Sequence, residues 1–211
     1  MSRGLGDVYI REAYDAGLQH FGESRVEEGS QKADTARLAG LNSIQWHMIG
    51  SIQSRKAREV PGHFNWVHSL DRIKIAQRLS QQAVEDGVML KVLLQVNLSG
   101  EQSKSGFDLA GWHGQDDHPG WPEFDEAIET LAKLPGLDLC GLMTIPPFTD
   151  DAEDTRSIFA AMRALRETLQ AQRSDLTWQH LSMGMSHDYE VAIEEGATII
   201  RVGTAIFGPR V

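Results

Sequence analysis

Met89-Leu90-Lys91-Val92-Leu93-Leu94-Gln95-Val96 is an almost unbroken apolar run. It is too short for a typical helix and shows no polar face, so it reads as a strand buried on both sides. Such strands belong to parallel sheets covered by helices. Moving outward, the same signature recurs at residues 18–22, 45–49, 66–69, 138–145, 178–181 and 198–202. Helical periodicity falls between these runs, at residues 8–16, 26–38, 71–86, 124–134, 151–172 and 189–195. A short helix is expected near 54–59 and a last turn at 204–207. Asp71 is placed to cap the helix that follows it, with Lys74 and Arg78 on the outer face. Asp150 or Asp151 stands near the cap of the long helix.

Seven strands alternating with helices give an α/β fold, either a TIM-barrel-like (β/α)8 short of one βα entry or an open doubly wound sheet. The 211 residues suit one large domain or two small ones, and neither an internal repeat nor an interdomain linker is visible. Residues 106–122, rich in Gly, Trp, His and Asp, interrupt the rhythm. This segment reads as a long βα loop, either a lid or a solvated, mobile connection. His113, Asp116, Asp117 and His118 within it have the donor atoms of a metal site, but nothing in the sequence promises the supporting shell such a site needs.

The composition is that of a globular protein, 41% hydrophobic and 24% charged. A net charge of −10 and a pI near 5.2 disfavour nucleic acid and anionic lipid as default partners. A phosphate ligand would need a local positive pocket. The one cysteine, Cys140, lies in an apolar run and reads as a buried structural thiol in a reducing compartment. With no long apolar span and no apolar core at the N-terminus, a cytoplasmic protein is expected.

The chemistry concentrates in two segments, Ser182-Met183-Gly184-Met185-Ser186 and Arg201-Val202-Gly203-Thr204. Each follows a strand and precedes a helix. Small residues there let ligand oxygens reach backbone N–H groups, and a helix N-terminus adds partial positive charge. The loops after the last two strands of a barrel are a common phosphate site. Ser182, Gly184, Ser186, Gly203 and Thr204 are therefore candidate phosphate-binding residues, with Arg201 contacting phosphate or a ring nitrogen. Ordinary glycine-rich turns would look the same one at a time. His47 and His180 could face the pocket or be satisfied core histidines. No nucleophile elbow, P-loop, dinucleotide fingerprint or His-Glu-x-x-His motif is present.

Several motifs together resemble the pyridoxal phosphate homeostasis proteins, the YggS-like family. They are Phe21-Gly22-Glu23-Ser24, Trp46-His47-Met48-Ile49-Gly50-Ser51-Ile52-Gln53-Ser54-Arg55-Lys56 and His68-Ser69-Leu70-Asp71. They continue through Gln95-Val96-Asn97, Ser103-Lys104-Ser105-Gly106, Gly141-Leu142-Met143, residues 181–186 and residues 201–208. The resemblance implies the barrel of the alanine racemase N-terminal type, one domain over residues 1–211 with its first strand missing or distorted. It implies pyridoxal 5′-phosphate (PLP) as cofactor, held covalently through a lysine at the barrel mouth. It also implies a role in buffering or delivering PLP to dependent apoenzymes without a defined reaction, as a monomer or homodimer. On this pattern the phosphate sits among Ser182, Ser186, Gly203 and Thr204, Arg201 faces the pyridine nitrogen, and Lys104 matches a lysine near the site.

Counting back from Phe21-Gly22-Glu23, the Schiff-base lysine position falls on Arg3. A guanidinium stays protonated and is a poor nucleophile toward an aldehyde, so binding is expected to be non-covalent or weakened. Ser24 and Arg55 also replace the family's asparagines. An exchanged residue, as opposed to a lost one, reads as a diverged, N-terminally shortened paralogue. Lys56 and Lys104 are the other lysines on the rim. A racemase-like PLP enzyme and an interaction module that has lost its ligand are the competing functions.

Overall fold

A computed structural model describes residues 7–101, 105–112, 114 and 117–208. The described residues form eight strands: β1 (His20–Glu23), β2 (Gln45–Met48), β3 (Trp66–Leu70), β4 (Leu90–Asn97), β5 (Phe107–Asp108), β6 (Leu137–Met143), β7 (His180–Met185) and β8 (Ile199–Arg201). The helices are α1 (Asp7–Asp15), α2 (Val26–Leu38), α3 (Ile73–Asp86), α4 (Trp121–Leu131), α5 (Arg156–Gln172), α6 (Tyr189–Glu194) and the single turn α7 (Thr204–Phe207). The sheet order is β1-β2-β3-β4-β6-β7-β8, with every pairing parallel and β5 attached to the end of β4. This is the seven-strand barrel expected from the sequence. Among the described residues, β1 and β8 each pair with one neighbouring strand, so a seam separates them.

Burial explains why these segments take these forms. Seven of the eight residues of β4 are buried, as the near-continuous run at 89–96 requires. On α3, Ile75, Ala76, Leu79, Ser80 and Ala83 form one buried stripe at helical spacing. The helix stops at Gly87, which takes the left-handed conformation (φ 66°, ψ 31°) that glycine adopts without steric cost. On α5 the stripe is Phe159, Met162, Leu165 and Leu169. These residues belong to a layer between sheet and helices that holds most of the core. A second, smaller cluster of Trp66, Leu93, Cys140 and Met143 is separate from it and lies inside the barrel. Cys140 is buried there, and burial pushes its thiol up to about 12, in keeping with a structural thiol.

Two local expectations change. Asp71 does not cap α3: the first position is Arg72, without a side-chain cap, and Asp71 instead accepts from its Nε at 2.9 Å. Asp151 does act as a cap, accepting from Glu153 N–H at 3.0 Å at the head of a 3-10 turn. Within 106–122, the described residues include apolar anchors that a fully solvated loop would lack. Phe107, Leu109, Trp112 and Trp121 are buried, and Trp112 stacks on Trp121 with ring centroids 6.2 Å apart. Apolar anchors at this spacing tie the connection to α4, which begins at Trp121 with Pro122 in its first turn, where a missing N–H costs nothing. Truncating the fully buried Phe159 to alanine should lower unfolding stability by about 3–5 kcal/mol, read as a fall in the urea midpoint.

Candidate functional site

The carboxyl ends of β7 and β8 approach one another through a single side chain. Ser186 Oγ, just past β7, accepts from Gly203 N–H at 3.0 Å and from Ala205 N–H at 3.3 Å, just past β8. Backbone N–H groups at the β8–α7 junction therefore already converge on one oxygen. Gly203 is buried and Thr204 is exposed beside it. Because α7 is only one turn, the positive character of this corner comes from these individual amides and hydroxyls and owes little to a helix dipole. The β7 side is kept compact by Asp188, whose Oδ1 accepts from Met185 N–H at 2.6 Å. Gly184 has φ +87°, and a Cβ there would stand 2.6 Å from Ala192 Cβ and 3.0 Å from Tyr189 Cα. Glycine lets α6 close onto β7, so Gly184 shapes the corner from behind.

Arg201 ends β8 with its guanidinium buried in the barrel. Nη1 donates to Ser182 Oγ at 2.7 Å and Nη2 to the Thr144 carbonyl at 2.8 Å. Two of five N–H bonds are thus committed. Burial lowers its pKa to about 10, opposed by the charge of Asp188, and it stays cationic at neutral pH. Ser182 is fully buried, and its hydroxyl is engaged with Arg201 and with His68 Nδ1 at 2.8 Å. In this structure the Ser182 hydroxyl, expected as a phosphate donor, serves Arg201 and His68.

His68 leads to a file of imidazoles. His68 Nε2 lies 2.8 Å from His47 Nδ1, and His47 Nε2 lies 2.9 Å from His20 Nδ1. His47 also stacks on Trp66, with centroids 5.3 Å apart and planes 11° apart. Lys91 Nζ sits 4.7 Å from the Trp66 ring centroid on the inner face, and His180 meets Trp66 edge-on at 5.1 Å. Burial is the main reason that His47 is lowered to about 3, with repulsion from His20 and His180 adding to it. Burial likewise holds His68 well below its ordinary value, followed by repulsion from His47, Arg201 and His180. His20, His47, His68 and Arg201 line a cleft of about 150 Å³ at the seam, together with Phe21, Ile49, Ile199 and Phe207 among others. An aromatic or planar ligand would find apolar walls, a cation and a nearby anion corner here.

The structure thus brings together Ser186, Gly203, Thr204 and Arg201 from the sequence reading, with Gly184 as support. His47 is at once a satisfied core histidine and a wall of the cleft. His180 is half-buried at the opposite end, 3.3 Å from Thr198 Oγ1. Sequence reasoning gave His20 and His68 no role, although their inward registers on β1 and β3 follow from strand alternation. Lys56 is not a free amine: it pairs with Glu59 at 2.9 Å and Glu27 at 3.1 Å, and both carboxylates raise its pKa. Arg3, Lys104, His113 and Asp116 lie outside the described residues. His118 braces its own loop, bonded to the Ala110 carbonyl and the Gly120 N–H. No metal-ligating cluster occurs among the described residues.

The buried histidines carry a pH dependence whose sign is fixed. Their folded pKa values lie below the unfolded one near 6.5, so the unfolded chain takes up protons first as pH falls. Stability is full above about pH 6.5 and declines toward pH 3, by up to roughly 1.4 kcal/mol per pH unit per histidine. Urea unfolding between pH 7 and pH 4.5 should show this decline, and His47→Gln should flatten it.

The sequence profile of the alanine racemase N-terminal domain matches residues 2–211. The pyridoxal phosphate homeostasis protein of Vibrio alginolyticus is 46% identical over 202 residues, covering 95% of this chain and 81% of that protein. That of Escherichia coli K12 is 41% identical over 208 residues, covering 95% and 80%. The structure of PipY from Synechococcus elongatus PCC7942, with PLP bound, superposes with a TM-score of 0.84 at 39% identity, over 97% of this chain and 89% of that one. Alanine racemase of Clostridium difficile 630 shares the fold at a TM-score of 0.72 and 17% identity, over 99% and 50%. With the barrel and the buried arginine in place, these similarities identify the chain as a member of the pyridoxal phosphate homeostasis proteins, within the alanine racemase N-terminal domain family.

Proposed function

We propose that this protein binds PLP non-covalently at the mouth of the barrel and serves PLP homeostasis, with residues 1–211 acting as one binding domain. The observation that carries this reading is the junction of two complementary features. One is an anion corner in which Gly203 and Ala205 N–H groups already point at Ser186 Oγ. The other is a buried guanidinium on the strand that leads into it. The phosphate would be held by Ser186, Gly203 and Thr204. Arg201 would face the pyridine nitrogen, where a neighbouring cation disfavours protonation of the ring.

When bound, PLP supplies an aldehyde and an electron-withdrawing ring. An unprotonated ring is a weaker electron sink, which suits a carrier. Lys56 on the rim offers no free amine, since it is ion-paired, and Arg3 occupies the family's lysine position. Racemisation would further need a general base. Tyr14 is bonded to Ser43 on the outer surface, Tyr189 to Glu190, and Tyr9 is exposed on α1. These placements support a role without turnover, with PLP-dependent apoenzymes as recipients of the ligand. The use of a single, buried cysteine supports a cytoplasmic setting. No helix among the described residues is long and apolar enough to cross a membrane.

PLP at 100 times its Kd should add about 2.7 kcal/mol to unfolding stability, read as a rise in Tm. Thr204→Ala and Arg201→Ala should abolish that rise, whereas pyridoxal without phosphate should produce little. Borohydride treatment of the PLP complex followed by peptide mass spectrometry should find no pyridoxyl-lysine; a trapped adduct would refute the non-covalent reading.

A further inference from the structure

The bonds made by Arg201 fix the direction of every hydrogen in the file behind it. A guanidinium can only donate, so Ser182 Oγ is the acceptor in its bond to Arg201 Nη1. Ser182 is fully buried, and its own hydroxyl hydrogen needs an acceptor. His68 Nδ1, 2.8 Å away, provides one. A neutral imidazole has a single N–H. His68 therefore carries its hydrogen on Nε2 and donates to His47 Nδ1 at 2.8 Å. His47 in turn carries its hydrogen on Nε2 and donates to His20 Nδ1 at 2.9 Å. The file ends at His20, which is exposed and lines the cleft. The opposite direction would leave the Ser182 hydroxyl hydrogen buried without a partner, which is the costly arrangement.

We propose that His68, backed by His47 and His20, is a positioning residue for Arg201. By accepting the serine hydrogen, His68 keeps a Ser182 lone pair turned toward the guanidinium. That bond and the one to the Thr144 carbonyl fix the plane of Arg201. The remaining N–H bonds then face the cleft in a set orientation, ready for the ring nitrogen of a phosphorylated pyridine. The two buried imidazoles, His68 and His47, act as neutral partners. They orient the cation without cancelling its charge, as a carboxylate in the same place would. The proposal rests on the PLP reading for the identity of the ring, but the direction of the file does not.

The test has two independent parts. In histidine-labelled protein without ligand, 15N NMR at pH 7 should show His47 and His68 as Nε2–H tautomers. An Nδ1–H tautomer at His68 overturns the proposal. In the second part, 15N-labelled PLP is titrated into wild type, His68→Leu and His68→Asn, with inorganic phosphate as a separate probe. His68→Leu should weaken PLP binding about tenfold, the scale of one hydrogen bond to a charged group, and shift the bound ring-nitrogen signal. Phosphate affinity should stay at the wild-type value. His68→Asn, whose amide oxygen can accept from Ser182, should restore part of both. Should His68→Leu fail to fold, His68→Phe, which keeps the ring and removes the acceptor, is read the same way. An unchanged ring-nitrogen signal in the broken variant overturns the positioning role. If wild type binds no PLP, the cofactor reading fails, and the tautomers still decide whether the file runs as proposed.

Discussion

A guanidinium placed inside a barrel must be fully supplied with acceptors, because an uncompensated buried charge costs several kcal/mol. Arg201 meets part of that demand with one backbone carbonyl from beyond β6 and one hydroxyl from β7. Much of the inner face follows from this. The serine needs an acceptor for its hydrogen, the acceptor is a histidine, and that histidine needs another. The polar requirement of one residue is thereby passed across β7, β3, β2 and β1, where a hydrocarbon filling would have been simpler.

The outer layers keep the same corner in register. Glu195, at the end of α6, accepts from Arg156 at 3.0 Å and from Arg163 at 2.6 Å, both on α5, and Arg156 also reaches Glu194 at 2.6 Å. These bonds hold α6 from its carboxyl end while Asp188 holds the turn at its amino end. Gly184 lets the helix approach β7 closely enough for both to operate. Exposed ion pairs contribute little one at a time, but several sharing Glu195 define the seating of a six-residue helix that could not stand alone.

Most strands were legible in the sequence because parallel strands buried on both faces are nearly unbroken apolar runs, as at 89–96. The meeting of the β7 and β8 ends at Ser186, Gly203 and Ala205 was foreshadowed by small residues and hydroxyls at two successive strand ends. The bonds of Ser182 to Arg201 and His68 were not legible, because type and proximity cannot tell a hydroxyl at a strand's end from one facing the barrel axis. His20 and His68 were missed because each looks ordinary in its own strand. Their meaning appears only when the parallel registers set three strands side by side. The packing of 106–122 escaped because its tryptophans lie among glycines and aspartates that resemble a solvated loop.

Cys140 adds a practical consequence. Its thiol projects into the small interior cluster with Trp66, Leu93 and Met143, on the opposite side of the sheet from the helices. A thiol-specific reagent can reach it only when the staves of the barrel part. The chain therefore contains its own gauge of breathing: the labelling rate of one sulfur counts the openings of the compartment that also shelters the imidazoles.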